Sequence, residues 1–410
     1  MLKWKNVCLE SNNVGVKELK KKDIDHFRRQ LKLHHDLLNI HTIFNVYIMK
    51  ESSDIYHSEI GPFELLEEEQ KELFLANFKK VLSGQIDEKL FPLKFKRDVE
   101  HSSQLTLHQG LTSESTDEWK EQMLKIVEKM LKERKYDHDI VLTFVRGEYL
   151  RPKKRTSENS EEHERDTVYA NSFILCSMNK TQEPKNELLF DYVEKEFKYD
   201  VKVDPIINLK TPITGFLFPC IIDGVSDVNH VLYSSGKANE IDEFFIEEVL
   251  NAESTLTAVE DKIVFEEVVK KVAGNQMNTS TLSNVYEEIH RVIEENDEEE
   301  MPTLDYKDVE NVLKVSGVED VDEEKVETAF KTVIDNEKYE LKAKNVLPKY
   351  RSKSIKIKTK VADIAISPED LKFVRQVVVD GKLCLLLEVE ENTVIEGFEM
   401  IPEKVFGNEE

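Results

Sequence analysis

A chain of 410 residues is longer than one hydrophobic core usually organises, so two or three domains are expected. Its 82 acidic residues against 57 lysines and arginines give a formal net charge of -25, which makes most of the surface repel nucleic acid and anionic lipid. Any such partner has to be met by a local basic patch. With 40% hydrophobic and 34% charged residues the composition is that of a soluble globular protein, and no apolar run reaches the ~18 residues of a membrane span.

Cys8, Cys176, Cys220 and Cys384 lie far apart, without the close pairing of zinc or redox sites, and Met1 to Glu10 lacks the apolar core of a signal peptide. A cytoplasmic location and no membrane partner are the expectation.

In chain order, residues 1–18 read as a loose leader. Leu19 to Leu33 places Leu19, Ile24, Phe27 and Leu31 among Lys20, Lys21, Lys22, Arg28, Arg29 and Lys32, the pattern of a basic amphipathic helix. Ile43 to Met49 and Ile55 to Ile60 read as a strand pair. Phe63 to Leu82 has helical spacing closed by Ser83 and Gly84. Leu93 to Lys96 is a short extended piece, followed by helices over Arg97 to Leu111 and Thr116 to Lys135 and strands over Ile140 to Val145 and Val168 to Met178. Between those strands, Arg151 to Asp166 is block-charged and reads as a hairpin tip. Leu188 to Tyr199 fits both periods, with a lean towards helix.

Two apolar runs, Ile213 to Ile222 and Val228 to Tyr233, read as neighbouring strands of a central sheet around the turn residues Asp223 to Asp227. Helical spacing then recurs over Phe244 to Leu250, Thr257 to Ala273, Ser280 to Glu295, Tyr306 to Val315 and Glu323 to Ile334, with an acidic linker at Glu294 to Glu300. Ser354 to Ile366, Val374 to Leu387 and Val394 to Met400 are strand-like, and Asp380-Gly381 is the strongest hairpin signal. The fold class expected is α+β: an N-terminal mixed sheet with packed helices over 19–240, a helical region over 241–345 and a small β-rich domain over 346–410.

The blocks Ile43 to Tyr47, Phe63 to Leu75, Lys94 to Asp98, Pro205 to Asn208, Gly215 to Pro219 and Tyr286 to Glu288 together resemble an uncharacterised bacterial family known only as a domain of unknown function. That resemblance spans nearly the whole chain from about Lys21 and implies no activity. More distantly, the order of parts is similar to the NdpA family of nucleoid-associated proteins, which implies association with nucleic acid.

Candidate chemistry is sparse. Asp223, Asp227 and His230 near the central turn are candidate metal ligands for a metal-dependent hydrolase, against the alternative of ordinary turn chemistry. Asp191, Glu196 and Lys198 match an acid, acid-x-lysine nuclease pattern, but about 11 acid-x-base triplets are expected by chance in this composition. His26, His34, His35 and His41 cluster in sequence; His34 and His35 point to different helix faces, which favours a solvated helix end over a shared metal. No phosphate-cradling glycine loop, nucleophile turn or cofactor motif is present, so no cofactor is expected.

Three basic faces remain as candidate nucleic-acid contacts. Lys356, Lys358 and Lys360 alternate with Ile355, Ile357 and Val361, which puts ammonium groups about 6.6 Å apart along a strand. Such a row either tracks phosphates or guards a sheet edge. Lys94, Lys96 and Arg97 form the second face, and the helix carrying Arg28 and Arg29 the third. The expected function is a non-enzymatic binding protein for nucleic acid. The alternatives are a metal-dependent hydrolase or nuclease, and an acidic scaffold for a basic protein partner.

Overall fold

The computed structural model describes residues 19–34, 36–97, 99–132, 134–152, 168–184, 187–200, 204–274, 277–295, 302–334, 339–348, 355–389, 393–395 and 398–399. The leader, most of the block-charged stretch after Arg151, His35, and the acidic run beyond Glu295 lie outside the described residues. The chain divides into two compact units between Thr257 and Ala258.

In chain order the first unit holds α1 (Lys21–Gln30), β1 (Leu38–Ile48), β2 (Ile55–Pro62), α2 (Glu68–Val81), β3 (Leu90–Lys94), α3 (Ser103–Thr112), α4 (Thr116–Leu131), β4 (Ile140–Pro152) and β5 (Val168–Gln182). It continues with β6 (Glu187–Asp191), β7 (Glu196–Asp200), β8 (Ile206–Ile207), β9 (Thr214–Phe218), β10 (Cys220–Ile222), β11 (Val225–Asp227) and β12 (His230–Ser235). The main sheet runs β2-β1-β4-β5-β9-β12-β3, with β8 pairing β5 off that path. Its ladders are antiparallel, so the mixed sheet expected from sequence is corrected. Short hairpin links such as β1 to β2 permit no parallel crossover.

Period-two alternation along these strands feeds two cores. Phe44, Val46, Leu142, Phe144, Ile174, Cys176, Phe216 and Phe218 face α3, α4 and a π-helix at Phe245–Val249. Ile43, Val145, Phe173, Leu175, Leu217 and Leu232 face the opposite side, where Ile24, Phe27 and Leu31 of the α1 segment and Leu75, Phe78 and Val81 of α2 cover them. The result is an antiparallel sheet buried on both faces, which explains the unbroken apolar runs at β9 and β12. The buried Asn77 amide donates to Asn179 (2.7 Å) and to the Leu209 carbonyl (2.8 Å), whereas Trp119 Nε1 is buried without a hydrogen-bond partner among the described residues.

Several sequence expectations change. Phe63–Leu65 forms a separate 3-10 turn, and α2 begins only after Glu67, whose side chain and that of Gln70 close a capping box. The helix expected from Arg97 begins at Ser103. The run Ile213 to Ile222 is two strands, divided at the cis Phe218-Pro219 bond, and Asp223-Gly224, both with positive φ (47° and 87°), form the two-residue turn of a β10–β11 hairpin. Leu188 to Tyr199 is a hairpin and not a helix. Asp191 Oδ1 accepts the amides of Val193 (2.8 Å) and Glu194 (3.0 Å), which turns the chain where a helix would need to continue.

The second unit contains α5 (Ala258–Ala273), α6 (Thr279–Glu295), β13 (Thr303–Leu304), α7 (Tyr306–Val315), α8 (Glu323–Ile334), β14 (Leu341–Lys342) and α9 (Ala343–Val346). Two further pieces, β15 (Ile355–Lys358) with β16 (Asp363–Ile366) and β17 (Val374–Val379) with β18 (Lys382–Leu387), are antiparallel hairpins. Phe265, Val268, Ile289, Val312 and Phe330 are buried in its helical part. Asp261 on α5 is fully buried, and its carboxylate accepts hydrogen bonds from Tyr339 and Asn345 (2.6 Å each).

Candidate functional site

Two of the first unit's candidates, Lys94 and His230, meet at one sheet edge. β3 is the terminal strand, and its Lys94 is the ladder partner of His230 on β12. Lys94 and Arg97 are exposed, while Lys96 Nζ lies 3.8 Å from Glu247 Oε1. His230 Nδ1 is 2.6 Å from Asp227 Oδ2, and the Asn229 amide donates to the other oxygen. The hydrogen bond with His230 is the main reason the Asp227 carboxyl sits below the ordinary aspartate range, against the opposing effect of burial.

Of the proposed metal triad, Asp227 and His230 are hydrogen-bonded to each other, and Asp223 belongs to the turn of the β10–β11 hairpin. Among the described residues no group of three or more His, Cys, Asp or Glu is placed to hold a metal ion. Cys220, the ladder partner of Asp227, is fully buried and its thiol is pushed well up by burial, which makes it a packing group and not a nucleophile.

The histidines of the first helix region disperse. His26 bonds the Tyr149 hydroxyl, His34 lies 3.6 Å from Glu68, and His41, at an irregularity of β1, lies 3.9 Å from Glu148. On α1, Arg28 pairs with Asp25 (3.0 Å), and Arg29 Nε donates to the Asp25 carbonyl (3.1 Å). An open cleft of about 340 Å³ beside this helix is lined by Lys32, His34, Lys71, Glu64 and Glu68, so its charges of both signs select no ligand class.

In the second unit, Lys356 and Lys358 are exposed while Ile355 and Ile357 are half-buried, and Lys360 sits in the turn to β16. Asp363 is the cross-strand partner of Lys358, which places a carboxylate beside the lysine row.

The feature that sequence reasoning missed is the β6–β7 hairpin, a two-stranded sheet of its own. The register pairs Leu188 with Tyr199 and Phe190 with Phe197, so these four share one face. All four are exposed, at 67%, 64%, 42% and 74%. Phe190 meets Phe197 and Tyr192 edge-on, both at 5.3 Å between ring centroids. On the other face Lys198 Nζ bridges Asp191 (2.8 Å) and Glu196 (3.6 Å). The nuclease-like triplet therefore does come together, but as a solvated ion-pair network: both Asp191 oxygens are already occupied, by Lys198 and by the turn amides. The available signal was the alternation of Leu188 with Phe190 and of Phe197 with Tyr199 around Asp191.

A family model described as a domain of unknown function, DUF4317, matches residues 19–398. The chain belongs to the DUF4317 family. No curated protein matches it. The match takes in both units, so the sheet edge at Lys94, the β6–β7 hairpin and the β15 lysines all lie within the DUF4317 region.

Proposed function

We propose that this DUF4317 protein is a non-enzymatic, cytoplasmic binding protein whose ligand is a partner polypeptide with a basic surface. The observation that carries this reading is the acidic balance, 82 acids against 57 bases, with several of the cations already paired with the chain's own carboxylates. Arg28 is paired with Asp25, Lys96 with Glu247, Arg291 with Glu288 and Glu295, and Lys314 with Glu310. Nucleic-acid affinity depends on lysines and arginines free to displace counterions from phosphates, and intramolecular pairing opposes that. An acidic field instead steers a basic protein towards it.

Zero-length carboxylate-to-amine coupling in intact cells, read by mass spectrometry, tests the reading. Crosslinks from this chain to lysines of another polypeptide are expected. Recovery of the chain crosslinked only to itself contradicts it.

A second reading, nucleic-acid binding, is favoured by one feature: Lys94 and Arg97 are exposed at the sheet edge beside His230. The distant likeness in element order to the nucleoid-associated proteins points the same way. A gel-shift titration at about 50 and 200 mM salt separates the two readings, because phosphate-driven affinity falls steeply over that range.

A further inference from the structure

We propose that two copies of this chain associate through the β2 edge of the main sheet, antiparallel about a two-fold axis at Ser58. The two terminal strands of that sheet differ. β3 is closed along its outer side: Ile86 bridges Leu90 at its start, Ala252 bridges Phe95 just past its end, and the Glu253 amide donates to the Lys94 carbonyl (2.8 Å). β2 pairs with β1 alone, and among the described residues nothing else hydrogen-bonds to its backbone. Ile55, Tyr56, His57 and Glu59 are exposed along it. The strand holds no lysine, its one proline, Pro62, is its last residue, and its one irregularity, an extra residue at Tyr56, lies near the other end, so its middle lacks the usual guards of a free edge. Its unpaired N–H and C=O groups call for another extended strand, a ladder that neither a phosphate backbone nor a lipid surface supplies.

The side chains select a second copy as that strand. His57 and Glu59 are the ladder partners of Tyr47 and Asn45, so they share one face of the sheet, and among the described residues neither makes a hydrogen bond or ion pair. In a two-fold antiparallel pair every residue meets one of its own face, which puts the axis through a single residue. An axis at Glu59 would set two carboxylates against each other, and one at Ile60 would set Glu59 against Gly61. An axis at Ser58 sets His57 against Glu59 twice, brings two small side chains together at the centre and leaves Tyr56 beside Ile60 at either end of the ladder. The edge is thus self-complementary in charge. Each copy carries a net charge of -25, but exposed charges more than about 8 Å apart are largely screened at physiological ionic strength. Self-association at β2 neither requires nor excludes a basic partner.

Sedimentation of the full-length protein from about 1 to 100 µM, in about 150 mM salt, tests the proposal. A monomer–dimer equilibrium is expected. Ser58→Lys, which sets two ammonium groups on the axis, is expected to weaken the dimer about tenfold or more. His57→Glu and Glu59→Lys each remove the match of opposite groups and are expected to weaken it as well. The double variant His57→Glu/Glu59→Lys restores opposite charges across the axis, so its affinity is expected to return to within about threefold of the parent. That recovery separates a register from a variant that merely folds badly. A monomer at every concentration would overturn the proposal, as would a dimer that Ser58→Lys leaves unchanged. Single variants that the double variant fails to rescue would overturn the axis at Ser58.

Discussion

Phe190 and Phe197 face each other across the β6–β7 ladder with ring centroids 5.3 Å apart and planes at 61°, on the side of the hairpin that no other element covers among the described residues. Rings placed this way stabilise the hairpin locally and contribute little to the two cores of the sheet. Phe197→Ser is therefore expected to leave the denaturant unfolding free energy of the first unit within about 0.5 kcal/mol of the parent. A loss of about 2 kcal/mol or more would show that the hairpin belongs to the fold and is not a surface device.

Gly215 on β9 marks a close contact in the middle of the sheet. A Cβ there would run into the Cys176 carbonyl oxygen and lie 2.8 Å from Val81 Cγ1, and the first of these is backbone that cannot swing aside. Gly215→Ala is expected to destabilise the first unit by about 1–3 kcal/mol, the usual effect of overpacking. Thermal or urea unfolding measures it, and an unchanged midpoint would mean that β5 and α2 separate more easily than their packing suggests.

The Asp227–His230 pair gives a pH dependence with a definite sign. Because the folded-state value of Asp227 is depressed, its contribution to stability is present above the ordinary aspartate value of about 3.9 and is lost as pH falls through the lower folded value. Asp227→Asn should shallow the acid limb of the stability profile below about pH 4 while leaving the shape above it unchanged. Urea titrations across that range check this, and parallel profiles would dissociate the pair from acid stability.

Asp261 anchors the second unit through Tyr339 and Asn345. Tyr339→Phe removes one donor from a fully buried carboxylate, so a loss of roughly 1.5–3 kcal/mol is expected. Hydrogen exchange on α5 would register it as faster opening; unchanged protection would mean that another donor or water replaces the hydroxyl.

Legibility in the sequence followed the range of the determining contacts. α7 and α8 occupy the same bounds as their apolar spacing indicates, and Asp380-Gly381, with φ of 49° and 74°, forms the tight turn its residue types demand. Local physics decides these elements. Leu188 to Tyr199 was ambiguous because Leu189, Tyr192, Val193 and Phe197 satisfy a helical period while Leu188, Phe190, Phe197 and Tyr199 satisfy a strand period, and the Asp191 turn decided between them. β4 extends well past Val145 because Arg146 and Glu148 sit within a paired ladder, where tertiary pairing overrides their weak strand preference. The meeting of Lys94 with His230 depends on a long-range ladder and had no local signature. At β15 the alternation holds from Ile355 to Lys358 only: Lys360 and Val361 fall in the turn, and the neighbouring carboxylate of Asp363 is revealed only by the hairpin register.

Binding of a partner polypeptide with a basic surface by this acidic protein is tested most directly by carboxylate-to-amine coupling in intact cells. The predicted result is a discrete crosslinked product that joins this chain to lysines of another polypeptide, and its yield falls as the ionic strength of a matching in vitro coupling rises from about 50 to 200 mM. Recovery of the chain crosslinked only to itself would contradict it.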